Sequence, residues 1–597
     1  MLILPFHVFA TLGILYLMKP FSPKLKEGSL AIAGRIFDLL AFAACIIIIY
    51  HYYIDTARIQ YRMEGIDAVF FGDLFAFCVG VPLLLEGVRR TSGNGLVAVI
   101  TIAIIYALFG NYFPGWFRFK GFSLETFAEL TVLGTEGLYG VTASSITSFV
   151  FYFVAFGAIF SAFGGGKIFI DLAMRVTGRM VGGPAKSAIV ASALFGTISG
   201  SAIANVTSTG VLTIPLMKRA GYTPEQAAAT EAIASTGGQL MPPIMGVAAF
   251  IMADLLGVPY LTVALAGTIP AIAFYFALYL NIDLLARKKQ IHGISEAELN
   301  MDTDPLMPRF HLLLGPILLL FALVMDYSAP MSALVGSAAA LLSPFLSRKT
   351  WYKPIDFYRA FSAIGKQMAD VSIAVSAIGI IIVVAIQSGI AIKFVTLLAE
   401  LGQDSLYLSL FLVILGCLIL GMGLPTTAAY VIAAVMFVPA LGKLGVDKMP
   451  SHFFVFYYSV LSMVTPPVAL AAFAAAAIAK ADAHKTGLIG FGLGLAIFIL
   501  PFGFINDPAL LWQGSWHTIL IACFGIVCAT GSWAIALQGW LWGKLGIVFR
   551  LTFTLCCFII VHEPTFSTGW SIALSVFIIL VVYRRMNKIK NMQIATA

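Results

Sequence analysis

The sequence predicts an all-α polytopic membrane protein built on inverted repeats, with two re-entrant hairpins and two broken helices. Three observations carry that expectation. The chain has a mean hydropathy of +0.97, with 60% hydrophobic and only 11% charged residues over 597 positions, which exceeds the apolar content of soluble domains and supplies many membrane-length segments. Its helical pattern breaks in mid-membrane, and does so twice in the same way. The first copy reads Gly196-Thr-Ile-Ser-Gly-Ser-Ala-Ile-Ala-Asn205, Ile214-Pro215 and Ser235-Thr-Gly-Gly-Gln-Leu-Met-Pro-Pro243; the second reads Gly421-Met-Gly-Leu-Pro-Thr-Thr-Ala-Ala-Tyr430, Val438-Pro439 and Ser462-Met-Val-Thr-Pro-Pro467. The spacing is the third: Pro215 to Pro242 is 27 positions, and so is Pro439 to Pro466. Unwound backbone at bilayer depth survives only where protein buries it or a filled cavity satisfies it. Matched interruptions in two halves point to a transporter's binding site.

In chain order, single crossings are expected at 2–18, 34–53, 68–87, 95–112, 145–163, 227–256, 260–284, 311–325, 331–346, 368–390, 453–479, 487–504, 515–534, 548–561 and 568–583. The first of these has no basic residue ahead of it and no small-residue cleavage site, so it reads as a retained helix. Stretches 185–217 and 405–441 are too long for one crossing and carry the Gly/Ser/Pro/Thr-rich tips, so each reads as a re-entrant hairpin. Lys186 and Lys218-Arg219 flank the first, which places its ends in the cytoplasm. Gln403-Asp404, Lys443 and Asp447 flank the second, consistent with the outside, so the repeats are inverted. Counting crossings then puts Arg287-Lys288-Lys289, Arg348-Lys349-Lys353 and Arg584-Arg585-Lys588-Lys590 inside. Arg58, Arg62, Arg118 and Lys120 fall outside and disagree with the rule.

The organisation read from this is a four-crossing unit at 1–113, a first half with hairpin 1 at 114–290, a charged linker at 291–310, a second half with hairpin 2 at 311–507, and a membrane appendage at 508–597. The net charge of +8 sits in loops beside membrane segments, where it sets topology, so no nucleic-acid partner is expected; the partner is the lipid bilayer. The seven cysteines lie in hydrophobic segments without paired spacing, so no disulfide or zinc site is suggested. The chain has no GxxxxGK[ST], HExxH or GxSxG pattern, which argues against ATP hydrolysis by that loop and against an intramembrane enzyme; no cofactor is expected.

The chemistry of the breaks follows from helix ends. Thr465-Pro466 places a capping residue before a proline, and Met241-Pro242-Pro243 and Leu424-Pro425 likewise read as helix restarts. Ser201 is placed to cap the second arm of hairpin 1. Four restarts meeting near the midplane would present positive helix ends to an anion. Helix ends before the breaks, near Ile198, Gly237, Leu420 and Met463, expose carbonyls, and neighbouring hydroxyls add oxygens that suit sodium. The candidate solute-binding residues are Ser199, Gly200, Ser201, Asn205, Gln239, Pro242, Pro425, Thr426, Thr427, Thr465 and Pro466. The candidate cation-binding or coupling residues are Ser199, Ser235, Thr236, Gly237, Gly421, Gly423, Thr427, Thr465 and Glu231, with sodium or a proton as the coupling ion. Glu231 is included because a carboxylate within a hydrophobic helix is a functional candidate by default. Asp73, Glu86, Asp254 and Asp370 lie nearer segment ends, where solvation or pairing between helices is expected.

The stretches Gly196–Val206, Glu231–Pro243 and Gly421–Tyr430, quoted in large part above, resemble the large membrane component of tripartite ATP-independent periplasmic (TRAP) transporters. The wording Ser-Thr-Gly-Gly-Gln-Leu-Met-Pro-Pro and Gly-Leu-Pro-Thr-Thr is similar to the TAXI branch. The resemblance covers 131–504, and the N-terminal unit resembles the small membrane component fused in front. It implies an elevator with a scaffold and a mobile hairpin-bearing domain in a bacterial or archaeal inner membrane. A separate periplasmic or lipid-anchored solute-binding protein would deliver a small organic acid, commonly a carboxylate. A binding-protein-independent, ion-coupled carboxylate exchanger would use the same hairpins and stays open at this point.

Overall fold

The computed structural model describes residues 3–21, 29–402, 405–563 and 568–596. Leu2, Gln403 and Asp404, used above, lie outside the described residues. Apart from one isolated bridge between Trp540 and Lys544, the described residues form helices, turns and loops. Eleven described helices are long and apolar enough to cross a membrane.

As far as their broken helices, the two halves run through the same elements in the same order. The first has a crossing at Val141–Ala162, a 13-residue helix Gly165–Thr177, hairpin arms Gly183–Ser199 and Ala202–Arg219, a helix Pro224–Gly237 that stops and resumes as Val247–Leu256, and a closing helix Tyr260–Lys288. The second has Pro354–Gln387, a 13-residue helix Ile390–Gly402, arms Leu406–Gly421 and Thr426–Lys443, and a helix Lys448–Leu461 that stops and resumes as Leu470–Ala479. Both expected hairpins are therefore present as helix pairs. The two 13-residue helices were not anticipated. Each is amphipathic: Gly165–Thr177 buries Ile168, Phe169, Ala173 and Met174 while Lys167 is exposed and Arg175 partly so, a pattern without a long apolar run.

Segments 227–256 and 453–479 are each two helices with a break between them, the two broken helices that the sequence led us to expect. Two other expected crossings differ from the structure. Segment 368–390 is the end of a 34-residue helix whose start lies at Pro354, where the Asp356 carboxylate accepts the Lys353 N–H at 3.0 Å. Its first turns are exposed and charged, so hydropathy misses them. Segment 487–504 is interrupted between Ala483–Gly494 and Leu500–Asn506. Pro501 cannot extend the first helix, and the freed carbonyls are met by side chains: Asn281 reaches Leu493 O at 3.0 Å, Trp533 Leu495 O at 2.7 Å, and Tyr458 Phe498 O at 2.7 Å. Neighbouring helices thus satisfy the backbone that the bilayer cannot.

The N-terminal helices Ile3–Met18, Phe71–Ser92 and Asn94–Phe109 pack on the long helix Pro354–Gln387. Lys19 pairs with Asp370 at 2.5 Å, and His7 bonds Ser372 at 2.8 Å. The helix Trp516–Gln538 packs instead on Tyr260–Lys288, where Gln538 reaches Asn281 Oδ1 at 2.5 Å. Asp73 pairs between helices with Arg58 at 2.6 Å and Asp254 with the Ser145 hydroxyl, whereas Glu86 pairs within its own helix, with Arg89 and Arg90 at 2.7 and 2.8 Å. Arg62 pairs with Glu129 at 2.6 Å. Two of the four cations that violate the positive-inside pattern are thereby neutralised locally.

Candidate functional site

The site is built where each hairpin tip meets a break. At tip 1 the chain turns through Gly200 at φ +58, and Ser201 accepts the Ala204 N–H at 3.3 Å, capping the second arm as expected. A Cβ on Gly200 would lie 2.4 Å from Met245 O, so only glycine lets the tip sit against break 1. Higher up, a Cβ on Gly196 would lie 2.2 Å from the Gly238 Cα, so the first arm and the broken helix touch backbone to backbone. At tip 2 a Cβ on Gly421 would lie 2.3 Å from Ser462 Oγ, and Gly423 turns the chain at φ +74 beside Val468.

The restarts differ in detail from expectation. Helices resume at Val247 and Leu470, after Gly246 and Ala469, rather than at the Pro-Pro pairs. Proline disfavours helical backbone in the residue before it, so Met241 and Thr465 are extended, and each Pro-Pro pair then lies in a turn before the helix resumes. Thr465 does not cap; its hydroxyl donates back to Leu461 O at 2.8 Å. Break 1 is satisfied by the protein around it. Gly246 N donates to Gln239 O at 2.9 Å, Ile244 N to Thr197 O at 3.3 Å, and the Tyr260 hydroxyl lies 2.7 and 2.6 Å from Pro243 O and Ile244 O.

One side chain joins the two tips. Gln239, 6% exposed, points its amide nitrogen to Gly200 O at 3.5 Å while its Oε1 accepts from the Thr426 hydroxyl at 3.0 Å. Tip 1, break 1 and tip 2 therefore meet at one residue. Ser199 Oγ, at the end of the first arm, is buried without a hydrogen-bond partner among the described residues, as are Thr230 Oγ1 and Ser376 Oγ elsewhere, which leaves it free to meet a ligand or water atom. Gly200, Ser201, Pro242, Pro425, Thr427 and Pro466, at the tips and breaks, are partly exposed.

Two other expected ligands are hydrogen-bonded within the protein. Asn205 is fully buried, its amide on Ser192 O at 2.9 Å and Ser235 O at 3.5 Å, bracing hairpin 1 on the broken helix. The Thr236 hydroxyl bonds Ala232 O at 2.7 Å, one turn back in its own helix.

Glu231 and Ser235 come together in a separate buried cluster. The Glu231 carboxylate accepts from Thr209 at 2.5 Å, Thr213 at 2.5 Å, Ser235 at 3.1 Å and Ser192 at 3.2 Å, and all of these residues are 0% exposed. No cationic side chain pairs with Glu231 among the described residues. Ser192, Thr209 and Thr213 escaped the sequence reading. Their signal was periodic: Asn205, Thr209 and Thr213 recur every four residues along one helical face, as do Glu231 and Ser235. Ser199, Gly237, Gly421, Gly423, Thr427 and Thr465 have no hydrogen bond to this cluster.

A third contact comes from the N-terminal unit. A Cβ on Gly95, at the start of helix Asn94–Phe109, would lie 2.8 Å from Gly423 O, so this unit touches the tip of hairpin 2.

A polytopic helical protein whose paired hairpins and broken helices close on partly exposed polar tips is a membrane permease. The chain belongs to the DctM component family of the tripartite ATP-independent periplasmic transporters, whose family profile matches residues 79–517. It is a transport protein of the inner membrane rather than an enzyme. It is 25% identical over 393 residues to the C4-dicarboxylate TRAP transporter large permease protein DctM of Pseudomonas aeruginosa, covering 65% of this chain and 85% of that one. It is 23% identical over 425 residues to the 2,3-diketo-L-gulonate TRAP transporter large permease protein YiaN of Escherichia coli, covering 70% and 96%. It is 25% identical over 382 residues to the isethionate TRAP transporter permease protein DctMQ of Oleidesulfovibrio alaskensis, covering 61% and 58%.

Proposed function

We propose that the chain imports a small organic anion, commonly a carboxylate, delivered by a periplasmic or lipid-anchored solute-binding protein and driven by a sodium or proton gradient. The Gln239 junction carries this reading: it brings Gly200, Thr426 and the unpartnered Ser199 hydroxyl to one place. Two second arms begin there, at Ala202 and Thr426, and their helix N-termini favour a negative group. The solutes named for the relatives above are all organic acids or their anions.

The Glu231 cluster is the proposed coupling site. An unpaired carboxylate in an apolar interior is costly by several kcal/mol, and a proton or sodium ion arriving there removes that cost. Because the hydroxyls come from both arms of hairpin 1 and from the broken helix, neutralisation would change how firmly the hairpin sits. Residues 1–113 act in this proposal as a fused small component, with its helices on Pro354–Gln387 as scaffold and the hairpins moving as an elevator; the motif wording favours the TAXI branch.

The test is uptake into proteoliposomes holding the purified chain. Accumulation of a labelled organic acid that requires both an imposed ion gradient and the binding protein supports the proposal. Equal uptake without the binding protein points to a self-sufficient exchanger.

A further inference from the structure

An apolar groove of about 280 Å³ runs between the N-terminal helix Asn94–Phe109, the long helix Pro354–Gln387 and the second arm of hairpin 2. Its walls include Ile102, Ala103, Phe117, Ile381, Ile432 and Met436, and its lining is almost wholly apolar. Water gains nothing there, since too few polar partners face the space. An acyl chain gains shape contact, yet lipid tails are as apolar as leucine, so an apolar wall alone does not select one lipid from the bilayer. Selection requires charge at the mouth.

That charge is present. Arg118 follows the groove residue Phe117 directly, and Lys393 lies one helical turn beyond the groove residue Ile390. Lys393 Nζ donates to Trp116 O at 2.8 Å and Arg118 O at 2.9 Å, which pins the loop and the helix together at this end of the groove. Among the described residues, neither Arg118 nor Lys393 has a carboxylate within ion-pair distance. Arg58 and Arg62, which share the anomalous outside placement, are both paired with carboxylates. Arg118 and Lys120 are the two that are not, and both are exposed.

We infer that this groove seats one acyl chain of an anionic phospholipid, with its phosphate held by Arg118 and Lys393. The lipid then lies between the N-terminal unit and the arm of hairpin 2, on the surfaces that must slide if that hairpin moves. The test uses the full chain, delipidated and then reconstituted in nanodiscs of equal phosphatidylglycerol and phosphatidylcholine, with retained lipid counted by native mass spectrometry. The wild type is expected to retain one phosphatidylglycerol in preference to phosphatidylcholine. Arg118→Gln with Lys393→Gln should reduce that preference roughly thirtyfold, as expected for two basic side chains near an anionic headgroup. Ala103→Trp, which fills the groove, should lose the retained lipid while the protein stays monodisperse. Equal retention of the two lipids by the wild type, or undiminished retention in the charge variant, overturns the inference. Should Ala103→Trp fail to assemble, the charge variant at surface positions decides the matter alone.

Discussion

Thr213, on the second arm of hairpin 1, donates its hydroxyl to Glu231 Oε2 at 2.5 Å, and no cationic side chain balances that carboxylate among the described residues. Two helices that meet through a lone acid and hydroxyls form a contact whose strength depends on what neutralises the acid.

Glu231→Gln keeps the shape and removes the titrating group. With Glu231 as the coupling residue, this variant loses concentrative uptake while retaining solute exchange. Uptake under separately imposed sodium and proton gradients checks this. Sodium-driven accumulation that survives the substitution would remove Glu231 from the coupling step and leave the tip site intact.

Gly196→Val should destabilise the fold. The new Cβ would lie 2.2 Å from the Gly238 Cα, which is backbone and has no rotamer to adopt. Overpacking of this kind costs about 1–3 kcal/mol. Thermal unfolding in detergent should show a clear fall in midpoint, whereas Gly492→Ala, in a helix with nothing within 4 Å, should hold or slightly raise it.

Topology gives a separate check. With inverted repeats, a cysteine replacing Lys218 is labelled by an impermeant reagent only from the cytoplasm, and one replacing Asp447 only from outside. Labelling of both from the same side would dismantle the inverted-repeat reading.

The breaks were legible because glycine and proline interrupt an apolar pattern at identical spacing, and both hairpins lie where Gly200 and Pro425 put their tips. The restart positions were not, because the Pro-Pro pairs look like helix starts in isolation, whereas in the fold each pair lies in a turn and the helix resumes only after Gly246 and Ala469. Gln239 was identified as a ligand candidate, but its bridge to Thr426 spans 187 positions, which no local pattern encodes. The hydroxyls of Ser192, Thr209 and Thr213 were missed for a related reason: each is unremarkable until folding turns it toward Glu231. The contact of Gly95 with Gly423 was hidden likewise, since the N-terminal unit has no counterpart in the repeats.

The central claim is that solute binds where Gln239 joins the two hairpin tips. Gln239→Leu preserves volume and removes both amide contacts, to Gly200 O and to the Thr426 hydroxyl. Ser201→Leu and Thr427→Leu place apolar bulk beside the same space. The direct measurement is binding-protein-dependent uptake of labelled organic acid into proteoliposomes for these three variants, each first shown to insert and to remain monodisperse. Uptake falling to background in all three, with insertion unchanged, is the predicted result; wild-type uptake in Gln239→Leu together with either tip variant would contradict the site.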